Sequence, residues 1–95
     1  MSILSADAAE TRALQALAWL AGNEELLPVF MGATGVGQDD LRQQAGSVEF
    51  LASVLDFLLM DDAWVMACCD ALNLPYDGLM QARAALPGGA QIHWT

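Results

Sequence analysis

The stretch FLASVLDFLLM, Phe50 to Met60, decides the fold of this chain. On a helical wheel of residues 48–60, the few polar or outward side chains fall in one narrow stripe. The stripe consists of Glu49, Ser53, Asp56 and Met60. The remaining apolar arc spans roughly 220°, which is more than one neighbouring helix can cover. The stretch therefore predicts a central helix over about residues 48–60, packed by other helices on several sides.

Length and composition set the frame around this helix. Ninety-five residues make one domain, residues 1–95, near the size at which a single hydrophobic core becomes self-sufficient. Apolar residues make up 56% of the chain and are mostly Ala and Leu, while Thr, Tyr, Ile and Phe are scarce. That balance favours helix over strand. We expect an all-α fold, a compact bundle of about six short helices.

Helix start and stop signals place five further helices around the central one. Their expected ranges begin or end near capping residues and glycines, at about 7–21, 24–33, 38–45, 62–72 and 75–86. Asp7 and Glu10 have capping-box spacing, and Asn23, Ser47 and Asp61 are suitable caps for later helices. Residues 90–95 have no periodicity and are expected to form either a flexible tail or an arm.

Two features between the first and fourth helices complicate their boundaries. Pro28 lacks a backbone donor, so the second helix is expected either to begin later than Glu24 or to bend. Gly32, Gly35 and Gly37 lie in the sequence GATGVG and are expected to form a flexible connection. This sequence is unlike a phosphate cradle, because no strand precedes it and no lysine follows it.

Charge excludes two classes of partner. Twelve acidic residues face three arginines and no lysine, which gives a formal net charge of -9. A protein that binds nucleic acid needs a basic surface to displace counterions, and the same holds for anionic membranes. We therefore expect neither nucleic acid nor a membrane surface as a partner.

The chain shows no sign of export or membrane insertion. Its first residues turn acidic almost at once, and the longest apolar run contains Asp56, Asp61 and Asp62, which would be costly in a bilayer. Cys68 and Cys69 are adjacent, so they cannot close a useful disulfide loop. These observations predict a cytoplasmic protein with reduced thiols.

Several segments together resemble a known family, the short proteins of alphaproteobacteria grouped as domain of unknown function 3572. The resemblance covers most of the chain, and it implies a compact helical fold in a bacterial cytoplasm without implying any functional residue. The segments are ALQALAWLA (13–21), LLPVFMGATG (26–35), LRQQAG (41–46), FLASVLDFLL (50–59) and ARAALPGG (82–89). The Cys68, Cys69 pair and residues 92–95 lie outside these segments.

No set of residues in the sequence forms a convincing active site, so we predict no catalytic residue, no cofactor and no metal. The acidic doublets sit at helix starts, where carboxylates stabilise the exposed N–H groups. Cys68 falls on the core face of its helix and Cys69 at the edge of that face, as buried small hydrophobes. The single histidine, His93, lies in the tail, far from any second ligand in sequence.

Surface association is the function that this reasoning favours. Trp19 lies off the core face of the first helix, near Arg12 and Gln15, and the tail contributes Ile92 and Trp94. We expect a noncatalytic helical protein-interaction module that binds a protein partner or itself as a homodimer. Two alternatives stay open: an acidic protein that binds a basic partner, as an inhibitor or nucleic-acid mimic, and a small ligand-binding protein or enzyme with an apolar pocket.

Overall fold

The computed structural model describes residues 4–86, and within them the chain folds into six α-helices and no strand. This confirms the expected all-α bundle. The helices are α1 (Ala6–Ala21), α2 (Leu26–Thr34), α3 (Gln38–Gln44), α4 (Val48–Leu58), α5 (Asp62–Leu72) and α6 (Gly78–Ala85). The predicted tail, residues 90–95, lies outside the described part of the chain.

Helix α4 buries a wide apolar arc, as the opening stretch predicts, while Glu49 and Asp56 of the predicted stripe are exposed and Ser53 is half-buried. Its seven buried residues are Phe50, Leu51, Ala52, Val54, Leu55, Phe57 and Leu58. The Ser47 hydroxyl caps the helix by accepting the N–H of Phe50 at 3.2 Å. The helix ends at Leu58, two residues before the predicted Met60, whose side chain is 70% exposed in the turn that follows.

Helix α1 shares the centre of the bundle with α4. It contacts α2, α4, α5 and α6, and its core face is built largely from small side chains, with Ala9, Ala13 and Ala16 fully buried. Small side chains allow neighbouring helices to approach closely, since interaxial distance depends on the residues at the contact. The core therefore has two central helices rather than the single one predicted.

The cap of α1 differs from the prediction. The Ser5 hydroxyl, rather than the Asp7 carboxylate, accepts the backbone N–H of Ala8 at 3.1 Å. Serine is among the preferred N-cap residues, and at this position Asp7 lies inside the first turn, where its charge stabilises the positive end of the helix dipole. The predicted capping box of Asp7 and Glu10 is wrong.

Aromatic contacts tie three helices together. The Phe30 ring of α2 meets Phe50 and Phe57 of α4 edge-on, at centroid distances of 6.0 and 5.1 Å. Phe57 in turn stacks on Trp64 of α5 at 4.8 Å. Such pairs add about 0.5–1.5 kcal/mol each beyond the area they bury. They fix the position of α2, which makes few other contacts with the bundle.

The second helix begins later than Glu24, one of the two outcomes expected from Pro28. The Asn23 side chain accepts the N–H groups of Glu25 and Leu26, both at 3.0 Å, and α2 follows. Pro28 is then the third helical residue, in the first turn, where a missing donor breaks no helical hydrogen bond.

The glycines after α2 have separate roles. Gly32 lies inside the helix, so the prediction that it belongs to the connection is wrong. Gly35 ends α2 with a left-handed backbone at φ 77°, and Gly37 stands at the start of α3, where its N–H donates to the Asp40 carboxylate at 3.1 Å. The connection is therefore a helix stop followed by a helix start.

Helix α6 begins at Gly78 and not at Pro75. The residues between them form a turn, in which the Gly78 N–H donates to the Pro75 carbonyl at 2.8 Å and the Tyr76 hydroxyl donates to Asp70. Gly78 is buried, and a Cβ atom added there would lie 3.1 Å from the Leu74 Cβ. This tight approach leaves little room for a larger residue at the start of the helix. The predicted core side of α6 is confirmed, with Leu79, Ala82 and Leu86 buried.

Candidate functional site

An apolar groove of about 250 Å³ lies on the surface between α1 and α3. Its walls are almost wholly aliphatic. The lining residues are Leu14, Leu17, Ala18, Ala21, Leu41, Arg42 and Ala45. A second opening of about 290 Å³ continues it past Ala21 towards α2 and adds Leu27, Gln38 and Asp39. The groove is therefore an extended feature with a more polar end.

The groove exists because α1 is apolar on two sides. Its core face is the one predicted, with Ala9, Ala13, Leu17 and Leu20 buried. A second stripe, formed by Leu14, Ala18 and Ala21, runs along the exposed side at helical i, i+4, i+7 spacing. Leu14 is 42% exposed although it is a large apolar residue. This spacing is the sequence signal for the groove, and these residues are not among the predicted interface residues.

Helix α3 forms the opposite wall and is held to the body by one anchor. Leu41 is buried, and Val36, just before the helix, is half-buried against the same core. These are the N′ and N4 positions of a hydrophobic staple, as the sequence predicts. With Leu41 fixed inward, Arg42 and Ala45 face the groove.

The three arginines have different environments. Arg12 of α1 donates to the carbonyl of Gly78 at 3.1 Å, and Arg83 of α6 pairs with Asp56 of α4 at 2.6 Å. Both guanidinium groups thus join helices within the bundle. Arg42 is exposed and lines both parts of the groove, and its guanidinium makes no ion pair or hydrogen bond within residues 4–86. It is therefore the arginine available to another molecule.

Three of the five predicted interface residues lie in the described part of the chain, all of them on α1. Trp19 is partly exposed and packs against the core, Gln15 is exposed, and the side chain of Arg12 is half-buried and bonded to α6. Ile92 and Trp94 lie outside the described residues. Trp19 and Gln15 remain candidates, while Arg12 has a structural partner inside the molecule.

The two cysteines are both fully buried, which confirms the prediction that they are small core residues. Burial raises the pKa of Cys68 to about 12, with the neighbouring Cys69 adding to the effect. Burial also raises the pKa of Cys69, although the backbone N–H of Leu79 partly opposes the shift by hydrogen bonding. Both thiols are therefore protonated near neutral pH, which is the inert state of a cysteine.

The acidic doublets lie at helix starts, as predicted. Asp61 caps α5 by accepting the N–H of Ala63 at 2.8 Å, and Asp40, in the first turn of α3, accepts the N–H of Gly37 just before that helix at 3.1 Å. Asp39 and Asp62 lie in the first turns of the same two helices. Across residues 4–86, no three His, Cys, Asp or Glu side chains come together in a way that could hold a metal ion.

The helices of the described chain are too short or too polar for any of them to span a bilayer. A search of curated proteins and a search of solved structures each found no match to this chain. The model of one family, described as a protein of unknown function (DUF3572), matches residues 6–89. That match covers all six helices and the groove between α1 and α3, and the chain belongs to this family.

Proposed function

We propose that this protein is a noncatalytic helical protein-interaction module that acts in a bacterial cytoplasm. The observation that carries the proposal is the groove between α1 and α3. It exposes an aliphatic surface on a chain with a formal net charge of -9, and exposed apolar patches rimmed by polar residues mark interaction sites.

The shape of the groove favours a helix as the bound element. Two helices form its walls, so an amphipathic helix could lay its apolar side chains between them in the way that helices enter hydrophobic grooves. Leu14 and Ala45 lie at one part of the groove, and Arg42 and Ala21 continue to the polar extension. A bound helix with apolar residues at i, i+3, i+4 and i+7 spacing would cover both parts.

Neither alternative function gains a specific observation. The acidic side chains needed for a basic partner are spread among the starts of helices instead of forming one face, at Asp7, Asp39, Asp40, Glu49, Asp61 and Asp62. The apolar part of the groove is lined almost wholly by aliphatic side chains, so it lacks the convergent polar groups that orient a small ligand.

Affinity capture with a set of single variants tests the proposal. Leu14→Glu places a charge in the groove, and Met66→Glu places the same charge on α5 at a residue of similar exposure, 45% against 42%. We expect the wild type and Met66→Glu to bind the same partner and Leu14→Glu to lose it. Trp19→Ala tests the surface predicted from sequence in the same experiment.

The proposal fails if all these variants, each with unchanged helical circular dichroism, bind the same protein equally well. It also fails if the wild type neither captures a protein nor associates with itself at high concentration.

A further inference from the structure

We propose that the groove binds a second copy of this chain, through an antiparallel pairing of the two α1 helices about a two-fold axis. This inference rests on the proposed interaction function and names its partner. It arises from the arrangement of large and small residues along α1 and from the position of the one arginine that has no partner within residues 4–86.

The groove-lining stripe of α1 is symmetric in its spacing. Its members are Leu14, Leu17, Ala18 and Ala21, so the intervals are three, one and three residues. A two-fold axis between Leu17 and Ala18 would place Leu14 of one copy over Ala21 of the other. The same axis would place Ala18 of one copy over the small exposed edge of the buried Leu17 of the other.

This pairing sets large side chains against small ones. The exposed Leu14 would fill the space over Ala21, beside the wall that Leu41 provides. Close interdigitation of large and small residues is what allows two helices to pack at interior density. A C2 interface is made by the same patch on both copies, so the patch must be self-complementary in this way.

Charge supports the same orientation. Glu10 lies one turn before Leu14 on the same side of α1, so the antiparallel arrangement carries it towards the Ala21 end of the other copy. Arg42 lines the groove at that end. The two-fold axis would then create two equivalent Glu10–Arg42 pairs. These pairs would reduce the repulsion between two chains that each carry a formal charge of -9.

Sedimentation velocity at protein concentrations from about 1 µM to about 1 mM tests the pairing. We expect wild type to pass from monomer to dimer and Met66→Glu to follow it. Leu14→Glu should raise the dissociation constant roughly tenfold or more, because it puts a carboxylate in place of the apolar side chain that covers Ala21 of the other copy. A wild type that stays monomeric throughout, or a Leu14→Glu variant that dimerises like Met66→Glu, overturns the inference.

A charge exchange tests the orientation. Arg42→Glu alone should weaken the dimer by a factor of about two to five, and adding Glu10→Arg should restore most of the loss. A double variant no tighter than Arg42→Glu overturns the antiparallel pairing. If the wild type is monomeric but captures another protein through Leu14, the second copy is excluded while the interaction function stands; if it does neither, both fail.

Discussion

At the scale of single residues, the buried thiols make the stability of this protein depend on pH in a defined direction. The Cys68 thiol has a pKa of about 12 in the folded chain against 9.0 in its ordinary state. Above the lower value the unfolded chain loses a proton that the folded chain keeps. The free energy of unfolding should therefore be unaffected by Cys68 below about pH 9 and should fall as pH rises above it.

Urea unfolding at several pH values between about 7 and 10 measures this effect. The Cys68→Ala, Cys69→Ala double variant is the control, because it lacks both thiols and should lose less stability over the same interval. Its absolute stability will also change through lost packing, so the comparison concerns the slope with pH. Equal slopes in the two proteins would show that the thiols are not protected by burial.

Replacing Arg12 should lower the stability of the fold and leave self-association largely unchanged, unlike replacing Arg42. Arg12→Gln removes the hydrogen bond to the Gly78 carbonyl and should lower the free energy of unfolding by about 1–2 kcal/mol. Its effect on self-association should be small, because the guanidinium lies between α1 and α6. Chemical denaturation and sedimentation velocity on the same samples check both parts, and an Arg12→Gln chain that is fully stable but monomeric would contradict them.

At the scale of secondary-structure elements, alanine substitution should have opposite effects on stability at Gly32, inside α2, and at Gly35, just after it. Gly32 is an exposed helical residue with nothing within 4 Å of an added Cβ, so Gly32→Ala should stabilise the fold by about 0.5–1 kcal/mol. Gly35 has a φ of 77°, which L-residues with a side chain adopt only with strain. Gly35→Ala should therefore destabilise the fold by roughly 1 kcal/mol.

Thermal or urea unfolding of the two alanine variants measures the difference directly, and each serves as the control for the other. A Gly32→Ala variant less stable than wild type would mean that residue 32 is not helical in solution. An unaffected Gly35→Ala variant would mean that α2 ends in a different way.

The elements also show what the sequence could predict and what it could not. The core faces of α1, α4 and α6 followed from apolar spacing, because burial of large side chains dominates where a helix sits. The exposed stripe of Leu14, Ala18 and Ala21 has the same spacing, yet a wheel cannot tell which of two apolar stripes finds a neighbour. That depends on where α3 packs, and α3 is placed by one buried residue, Leu41.

The starts of α1 and α6 differ from the predicted ones for two different reasons. Ser5 and Asp7 are both acceptable caps, and the choice between them depends on where the chain enters the bundle. The start of α6 was set by tertiary contacts: the Arg12 bond to Gly78 and the close approach of Gly78 to Leu74. Propensity and spacing contain no information on either contact.

At the scale of the whole molecule, α1 is packed on one side and partly exposed to solvent on the other. Helix α1 contacts four other helices through one side and lines the groove with the other. A dimer through this groove would cover the exposed apolar stripe of α1, with Leu14 buried and Arg42 paired. This would give the exposed stripe of the bundle a function without requiring any catalytic group.

Cysteine cross-linking through α1 tests that claim most directly. Ala18 is exposed and lies beside the proposed two-fold axis, so Ala18→Cys should place two thiols from different copies close enough for a disulfide. Ala84→Cys, on the exposed side of α6, is the matched control, and the buried Cys68 and Cys69 should not react. We predict that mild oxidation gives a covalent dimer of Ala18→Cys in high yield and of Ala84→Cys in low yield. Equal yields from the two variants would contradict the α1 pairing.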